Sequence, residues 1–540
     1  MLIGYASDEY YSALPDVLLE FSDSQGRSWE ACSRAGGSVH IDLPPGEYRV
    51  VLQKAGFGAK ISRVTLPLPE PHQYRLLSDT LRGYVWPKWV RAGESSEFRV
   101  HSVEAYKLEL WRYGWEPEFV RGLGWHDEHA PRAVMQITPD GDYTRTGVRW
   151  NDTGYTNSVH SQHVEAPARS GLYYFRASTT NGRQFAFPWI VSPAQPTSPI
   201  AVLASNITWN AYNNFGGRSN YIHADGFPRA PTINSRLELK RYSDAGFFTW
   251  SADDYPLLSF DRPEPFNDID FAERITDPIE GRQACHLAPA EWRLLGWLER
   301  EGFAYDFYAE TQLDAGLLDL SAYRVLVLSV HPEYWSRRMY DRVKRWVFHE
   351  GGRLLYLGGN GLNCEVELRP DGAMVCRNGK LSGLDVAGLG GKESRLHIRH
   401  ESEANLLGVV FTPAGAMTGA PYRVVDASHW VFEGTGLKTS DLLGEKCLHQ
   451  RCPGGASGHE TDKRSPSSPA NVHLLAKGTN ADDGGAEMVN FDTPSGGAVF
   501  SVGSINYVAS LPVDEGVSRI TANVLRRFVS ASTEVSRRQP

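Results

Sequence analysis

Apolar and polar positions alternate through the first third of the chain. SVHIDL, YRVVLQKAGF and ISRVTLPL are strand-sized runs, and PPGEY between the first two is a turn. Runs of that length, broken by Pro and Gly and lacking a helical period, predict a small β-sandwich over 1–78. The style continues over 79–195. GYVWPKWVRAGESSEFRVHS predicts two strands about a glycine turn, YKLELWRYG a further strand, and SGLYYFRASTTNGRQFAFPWIV a hairpin about Asn181-Gly182. A second β-sandwich is therefore expected, closed by the proline-rich joint PAQPTSP at 193–199.

Beyond that joint the pattern changes. IAVLAS (200–205), YRVLVLSV (323–330) and RLLYLGG (353–359) are continuous apolar runs, as expected of strands buried on both faces. Between them, PAEWRLLGWLEREGF (289–303) puts Trp292, Leu295 and Leu298 on one side of a helix closed by Gly302, AYDFYAE is a strand, and SRRMYDRVKRWVFHEGG is a second helix with a glycine stop. GAVFSVGSINYV and the helical VSRITANVLRRFV complete the series. Strands alternating with helices predict a parallel α/β sheet over 196–540. Residues 366–500 are glycine-rich and strand-like, and read as loops and hairpins inserted beside that sheet.

Composition adds exclusions. The 540 residues are 41% hydrophobic and 22% charged, ample for several cores, with a net charge of −9. No basic stripe is present, which argues against nucleic acid and against an anionic membrane surface as partners. The longest apolar run is far short of the roughly 20 residues that span a bilayer. The start, MLIGYASDEYY, has neither a basic n-region nor a long apolar stretch, so a cytoplasmic chain is expected. Six scattered cysteines fit reduced thiols.

Open α/β sheets build sites at the carboxyl ends of their strands. Here IAVLAS leads into Asn206 and Trp209–Tyr212, YRVLVLSV into His331-Pro332-Glu333, and RLLYLGG into Asn360. If the strands are neighbours, these polar clusters meet at one edge. Other chemistry is sparser. Cys447, His449 and Cys452 offer three soft ligands for zinc but no fourth stands nearby, and the pairs His126/His129 and His160/His163 offer a second zinc reading in the β-rich region. Cys364 in GGNGLNCEVEL lacks the glycine two residues on that a nucleophile elbow requires, and no G-x-S-x-G or H-E-x-x-H motif occurs. Gly216-Gly217 reads as a turn, and Arg262 in SFDRP as a structural ion-pair residue.

Six segments together, in this order, carry a resemblance: TWNAYNNFGGRSNY, LLSFDRP, HPEYWS, YLGGNG, GHETD and MVNFDTPSGGAVFSVGSINY. Over roughly 197–540 the chain resembles the large subunit of N,N-dimethylformamidase and its relatives. The resemblance implies a glutamine-amidotransferase-like (flavodoxin-like) α/β domain preceded by β-rich domains. It implies hydrolysis of a small N-alkylated amide, or a related urea or carbamate, at one mononuclear Fe(III) held by two tyrosines and a glutamate. Tyr212 and Glu333 are the implied first tyrosine and carboxylate. Tyr255 is the candidate second tyrosine by position, with Tyr242 and Tyr221 as alternatives. His331 would move a proton or bond the metal-bound oxygen, Asn360 would donate to the developing oxyanion, and Glu460 would act as general base and acid. Trp209, Phe215 and Trp250 are candidates for an apolar pocket. A homo-oligomer is expected, with a separate small subunit left open. The competing reading is a non-catalytic carbohydrate- or protein-binding protein whose α/β domain has lost its chemistry.

Overall fold

The computed structural model describes residues 1–126, 138–150, 162–233, 252–281, 284–379, 393–481 and 483–530. It is rich in β-structure. At the N-terminus, Leu2–Ser7 pairs with Ser38–His40 and His72–Arg75. A four-stranded antiparallel sheet runs through Leu18–Ser22, Ser28–Cys32, Gly46–Lys54 and Gly58–Leu66. Val50 and Leu52 point inward and alternate with exposed Arg49 and Gln53, and they join Ile3, Leu19 and Val64 in one core between the sheets. Period-two patterning thus buries one face and wets the other.

The second sandwich packs a three-stranded sheet (Arg82–Trp86, Ser95–His101, His163–Glu165) on a five-stranded one (Trp89–Arg91, Tyr106–Tyr113, Pro117–His126, Gly171–Thr179, Gln184–Ser192). Where one strand was expected across GYVWPKWVR, the structure has two, in different sheets. Pro87 between them has no N–H to give to a ladder. The expected hairpin turn is present, with Gly182 at φ +81°. His126 is a buried ring stacked on Tyr106 and edge-on to Phe98. His163 lies on a strand of the other sheet, while His129 and His160 fall outside the described residues.

Downstream, one nine-stranded sheet forms the frame. Its strands β1 (Ile200–Ala204), β2 (Asp306–Ala309), β3 (Val325–Val330), β4 (Arg353–Gly358) and β5 (Ala498–Ser501) lie in the order β2-β1-β3-β4-β5 and run parallel. Every residue of β1, β3 and β4 is buried, which explains their unbroken apolar character. Antiparallel strands at Glu487–Asp492, His473–Gly478, Tyr422–Val424 and Leu442–Leu443 extend the sheet past β5. Part of the segment expected beside the sheet thus continues it, pairing the polar edge β5 would otherwise expose. The major helices are α1 (Asn206–Tyr212), α2 (Ala288–Arg300), α3 (Arg337–His349) and α4 (Glu515–Ser530). Among the described residues, no helix is long and apolar enough to cross a membrane.

From β1 the chain passes to the β2 edge and returns to β3 on the other flank of β1. Strand order reverses between β1 and β3, so their carboxyl ends splay open a crevice. Buried ion pairs tie the second sandwich to this sheet's loops: Lys88 to Glu264 at 2.6 Å and Arg99 to Asp261 at 2.7 Å.

Candidate active site

The crevice is framed by residues in uncommon backbone conformations. β3 ends on Val330 at φ +50°, a branched residue in the left-handed region, and β4 is followed by Asn360 at φ +48°. Two tight turns follow Val330: the His331 amide donates to Ser329 O at 2.7 Å and the Glu333 amide to His331 O at 2.9 Å. His331 and Glu333 do share a side, Nε2 to Oε2 at 3.5 Å. The reason is these turns, centred on Val330 and Pro332.

α1 begins directly after β1 and carries Tyr212 into the same crevice. Tyr212 donates to Oε2 of Glu333 at 3.1 Å, and Tyr221 donates to the same oxygen at 2.7 Å. The two phenol rings stack with centroids 4.0 Å apart, and Tyr334 donates to the Tyr221 hydroxyl at 2.9 Å. Side-chain oxygens from two distant stretches, 212–221 and 333, therefore meet at one point. The second tyrosine in contact with Glu333 is Tyr221, carried from the sequence as an alternative. Tyr255 is buried in the core and gives its amide to Cys376 O at 3.1 Å. Tyr242 and Trp250 fall outside the described residues.

The turn between Tyr212 and Tyr221 is built from several sides. Gly217, at φ +92°, would put a Cβ 2.4 Å from that of Tyr11, so the N-terminal sandwich packs directly on it. Gly216 N donates to Glu9 O at 2.6 Å, and the buried Arg75 donates to Gly216 O at 2.9 Å. Arg262, read from sequence as an ion-pair residue, is a clamp on carbonyls. Its guanidinium donates to Phe215 O at 2.7 Å, Asn213 O at 3.2 Å and Asn210 Oδ1 at 3.0 Å.

A second carboxylate faces the first. Glu460 Oε2 lies 3.2 Å from His331 Nε2 and accepts from Asn360 Nδ2 at 2.8 Å. Burial works to raise the Glu460 pKa, but the bond and charge of His331 and the bond from Asn360 outweigh it and hold the group down to about 2. For His331 burial acts downward, and Glu460 and Glu333 reverse it to a net rise. Burial raises the Glu333 carboxyl, with the His331 charge opposing. His331 and Glu333 are almost wholly enclosed, whereas Glu460 keeps 20% of its side-chain surface open, so solvent reaches the cluster on the Glu460 side. Asn360 Oδ1 is buried and, among the described residues, has no hydrogen-bond partner.

Of the pocket candidates, Trp209 and Phe215 lie among the described residues. Trp209 is buried and its indole donates to Glu291 Oε1 at 2.9 Å. Phe215 sits among Tyr143, Val148 and Trp150. His286 was missed. It is a lone histidine in ACHLAP with no informative spacing, yet its Nδ1 lies 3.0 Å from His331 Nδ1 and its ring is 4.5 Å from that of Tyr212. Asp462 was missed too. It accepts from the Asn360 amide at 2.8 Å and from Tyr356 at 2.7 Å, and burial raises it to about 7. Its spacing from Glu460 in GHETD was the available signal.

A family model described as N,N-dimethylformamidase beta subunit-like, C-terminal, matches residues 107–520, beginning within the second sandwich. The N,N-dimethylformamidase beta subunits of Alcaligenes sp and Paracoccus aminophilus are each 26% identical to the chain, over 397 and 402 residues. The match covers 63% of this chain and 50% of each relative, so the chain spans about half the length of the curated relatives it matches. Among solved structures, a DUF3823 family protein from Bacteroides ovatus aligns with 34% of this chain and 96% of its own at 11% identity and a TM-score of 0.13, too low to carry an argument. With most of its length inside the family match, the chain belongs to the N,N-dimethylformamidase beta subunit-like family.

Proposed function

We propose that this chain is a metal-dependent amidohydrolase that cleaves the C–N bond of a small N-alkylated amide, releasing an acid and an amine. The observation that carries the reading is the meeting of Tyr212, Tyr221 and Glu333 at one buried point, beside Glu460, His331 and Asn360, in a chain of this family.

The donor set suits Fe(III). A hard cation prefers anionic oxygen, and two phenolates with one carboxylate would match its three charges. Tyr212 and Glu333 would hold it with a second tyrosine: Tyr221, which is in contact with Glu333, or Tyr255, the candidate by position in the sequence. Bound there, the cation would supply a Lewis acid for the amide carbonyl or for water.

The remaining work belongs to the chain. Glu460, ionised and solvent-accessible, takes a proton from water as the water oxygen attacks the carbonyl carbon. It then delivers that proton to the amine nitrogen as the C–N bond breaks. His331 holds Glu460 in place with Nε2 and counters its charge. Asn360 has one amide N–H committed to Glu460 and a second to offer the developing oxyanion. The relatives are named as beta subunits, and we extend to this chain the expectation that it works with a second, different chain. The α/β domain over 196–540 is proposed to be amidotransferase-like.

The test is release of dimethylamine from N,N-dimethylformamide and its N-alkyl homologues by the purified protein. Glu460→Gln should lower kcat by about 10²- to 10⁴-fold. Absence of hydrolysis across the series by an iron-loaded wild type, with a partner chain supplied if one co-purifies, contradicts the proposal.

A further inference from the structure

Next to the site, His449, Cys452 and His459 come together with ligand-type atoms within 4.8 Å of one another, all three buried. Their hydrogen bonds identify what the cluster is. The backbone N–H of Cys452 donates to Nδ1 of His449 at 3.0 Å. Nδ1 therefore carries no proton, and in a neutral ring Nε2 does. That Nε2 lies 2.9 Å from Nδ1 of His459, so it donates there, and His459 in turn carries its proton on Nε2. Burial and the neighbouring His459 push His449 down to about 2, which keeps the ring neutral. A cation on His449 Nε2 would force that proton onto Nδ1, where the Cys452 amide already points. Hydrogen bonding, not metal ligation, accounts for the geometry.

His459 is itself unusual. Its backbone is left-handed at φ +65°, a conformation that non-glycine residues hold only when their surroundings impose it. The constraints are visible. Its amide donates to Thr418 O at 3.0 Å, its carbonyl accepts from Met417 N at 2.6 Å, and its ring is fixed by His449. The next residue is Glu460. A Cβ on Gly359 would come 2.3 Å from Glu460 O, so the end of β4 packs against this same peptide. The His459 ring also stands edge-on to His286 at 5.3 Å, and His286 meets His331. One ring thus braces both partners of the Glu460–His331 pair, the first through the main chain and the second through His286.

We propose that His449 is a positioning residue: by its fixed tautomer it holds the His459 ring, and through His459 it aims Glu460 at His331 and Asn360. This rests on the reading of Glu460 as the proton-transfer group. Glu460 reaches both partners with one oxygen, so a displacement of about 1 Å removes both contacts, and displacement of that size can cost about 100-fold in rate.

His449→Phe keeps the ring's bulk and removes both bonds, while His449→Gln keeps an N–H to offer His459. His449→Phe should lower kcat about 10- to 100-fold with KM and iron content unchanged, and His449→Gln should recover most of that loss. A histidine ¹⁵N spectrum of the wild-type protein should show both His449 and His459 as Nε2–H tautomers, a readout that needs no turnover. The proposal is overturned if His449→Phe keeps its kcat within twofold, if His449→Gln falls as far as His449→Phe, or if His449 carries its proton on Nδ1. Stoichiometric zinc that is lost in Cys452→Ala would also overturn it, by making the cluster a metal site. Where the wild type hydrolyses no amide, the reading of Glu460 fails, and the tautomer measurement still decides whether the strut exists.

Discussion

Tyr221 and Tyr255 compete for the place of second tyrosine ligand, and single substitutions separate them. Tyr221 meets Glu333 at 2.7 Å and also accepts from Tyr334, while Tyr255 sits in the buried core. Measured as iron per chain, Tyr221→Phe should lose metal if Tyr221 is the second ligand. Loss in Tyr255→Phe with retention in Tyr221→Phe would assign that place to Tyr255. Tyr212 and Glu333 lie in polar clusters that follow unbroken apolar strands, and the family resemblance is what implied a ligand role for them. Tyr221 stood only as an alternative, because it reaches the cluster across a glycine turn, and turn geometry carries no periodic signal. His286 is a lone ring in a loop, and only the folded packing of α2 brings it to His331.

At the level of elements, α2 and the turn after α1 carry most of the positioning. Glu291 on α2 accepts from Ser205 N at 2.9 Å and from the Trp209 indole at 2.9 Å, which links the helix to the β1–α1 junction. Burial raises this carboxyl from 4.5 to about 8. The folded chain therefore holds the proton more tightly than the unfolded one. The stabilisation is complete below about pH 4.5 and is lost as pH rises toward 8. Between pH 5 and 8 the wild-type Tm should fall, and Glu291→Gln, which keeps the same acceptor oxygen, should reduce that fall; parallel slopes for the two proteins would contradict this origin. In the turn, Gly217→Ala meets both an unfavourable φ and the Cβ of Tyr11, with strain alone costing about 1–3 kcal/mol. Chemical denaturation should show that loss. Arg262→Met, which strands the carbonyls the guanidinium holds, should cost about 3 kcal/mol by the same measurement and lower iron retention. The helices and long strands were legible because their apolar periods are long. The two outermost strands of the sheet, Tyr422–Val424 and Leu442–Leu443, were not, because they are only three and two residues long and pair through tertiary contact.

Across the whole molecule, the β-rich N-terminal third is built into the site's support. Tyr11 and Arg75 of the first sandwich press on the turn between Tyr212 and Tyr221, and Lys88 and Arg99 of the second pair with Glu264 and Asp261 on either side of Arg262. These contacts between distant segments depend on side-chain geometry that patterning does not encode, which is why the sequence separated sandwiches from sheet without disclosing how they cooperate. The central claim is that phenolic and carboxylic oxygens gathered by this frame hold a ferric ion. The most direct test is iron content together with the visible absorption spectrum of the purified wild type and of Tyr212→Phe. About one iron per chain and a tyrosinate-to-iron absorption band are expected in the wild type, with both lost in the variant. A wild type that binds no iron when supplied with it, or a Tyr212→Phe protein with undiminished iron and colour, would contradict that claim.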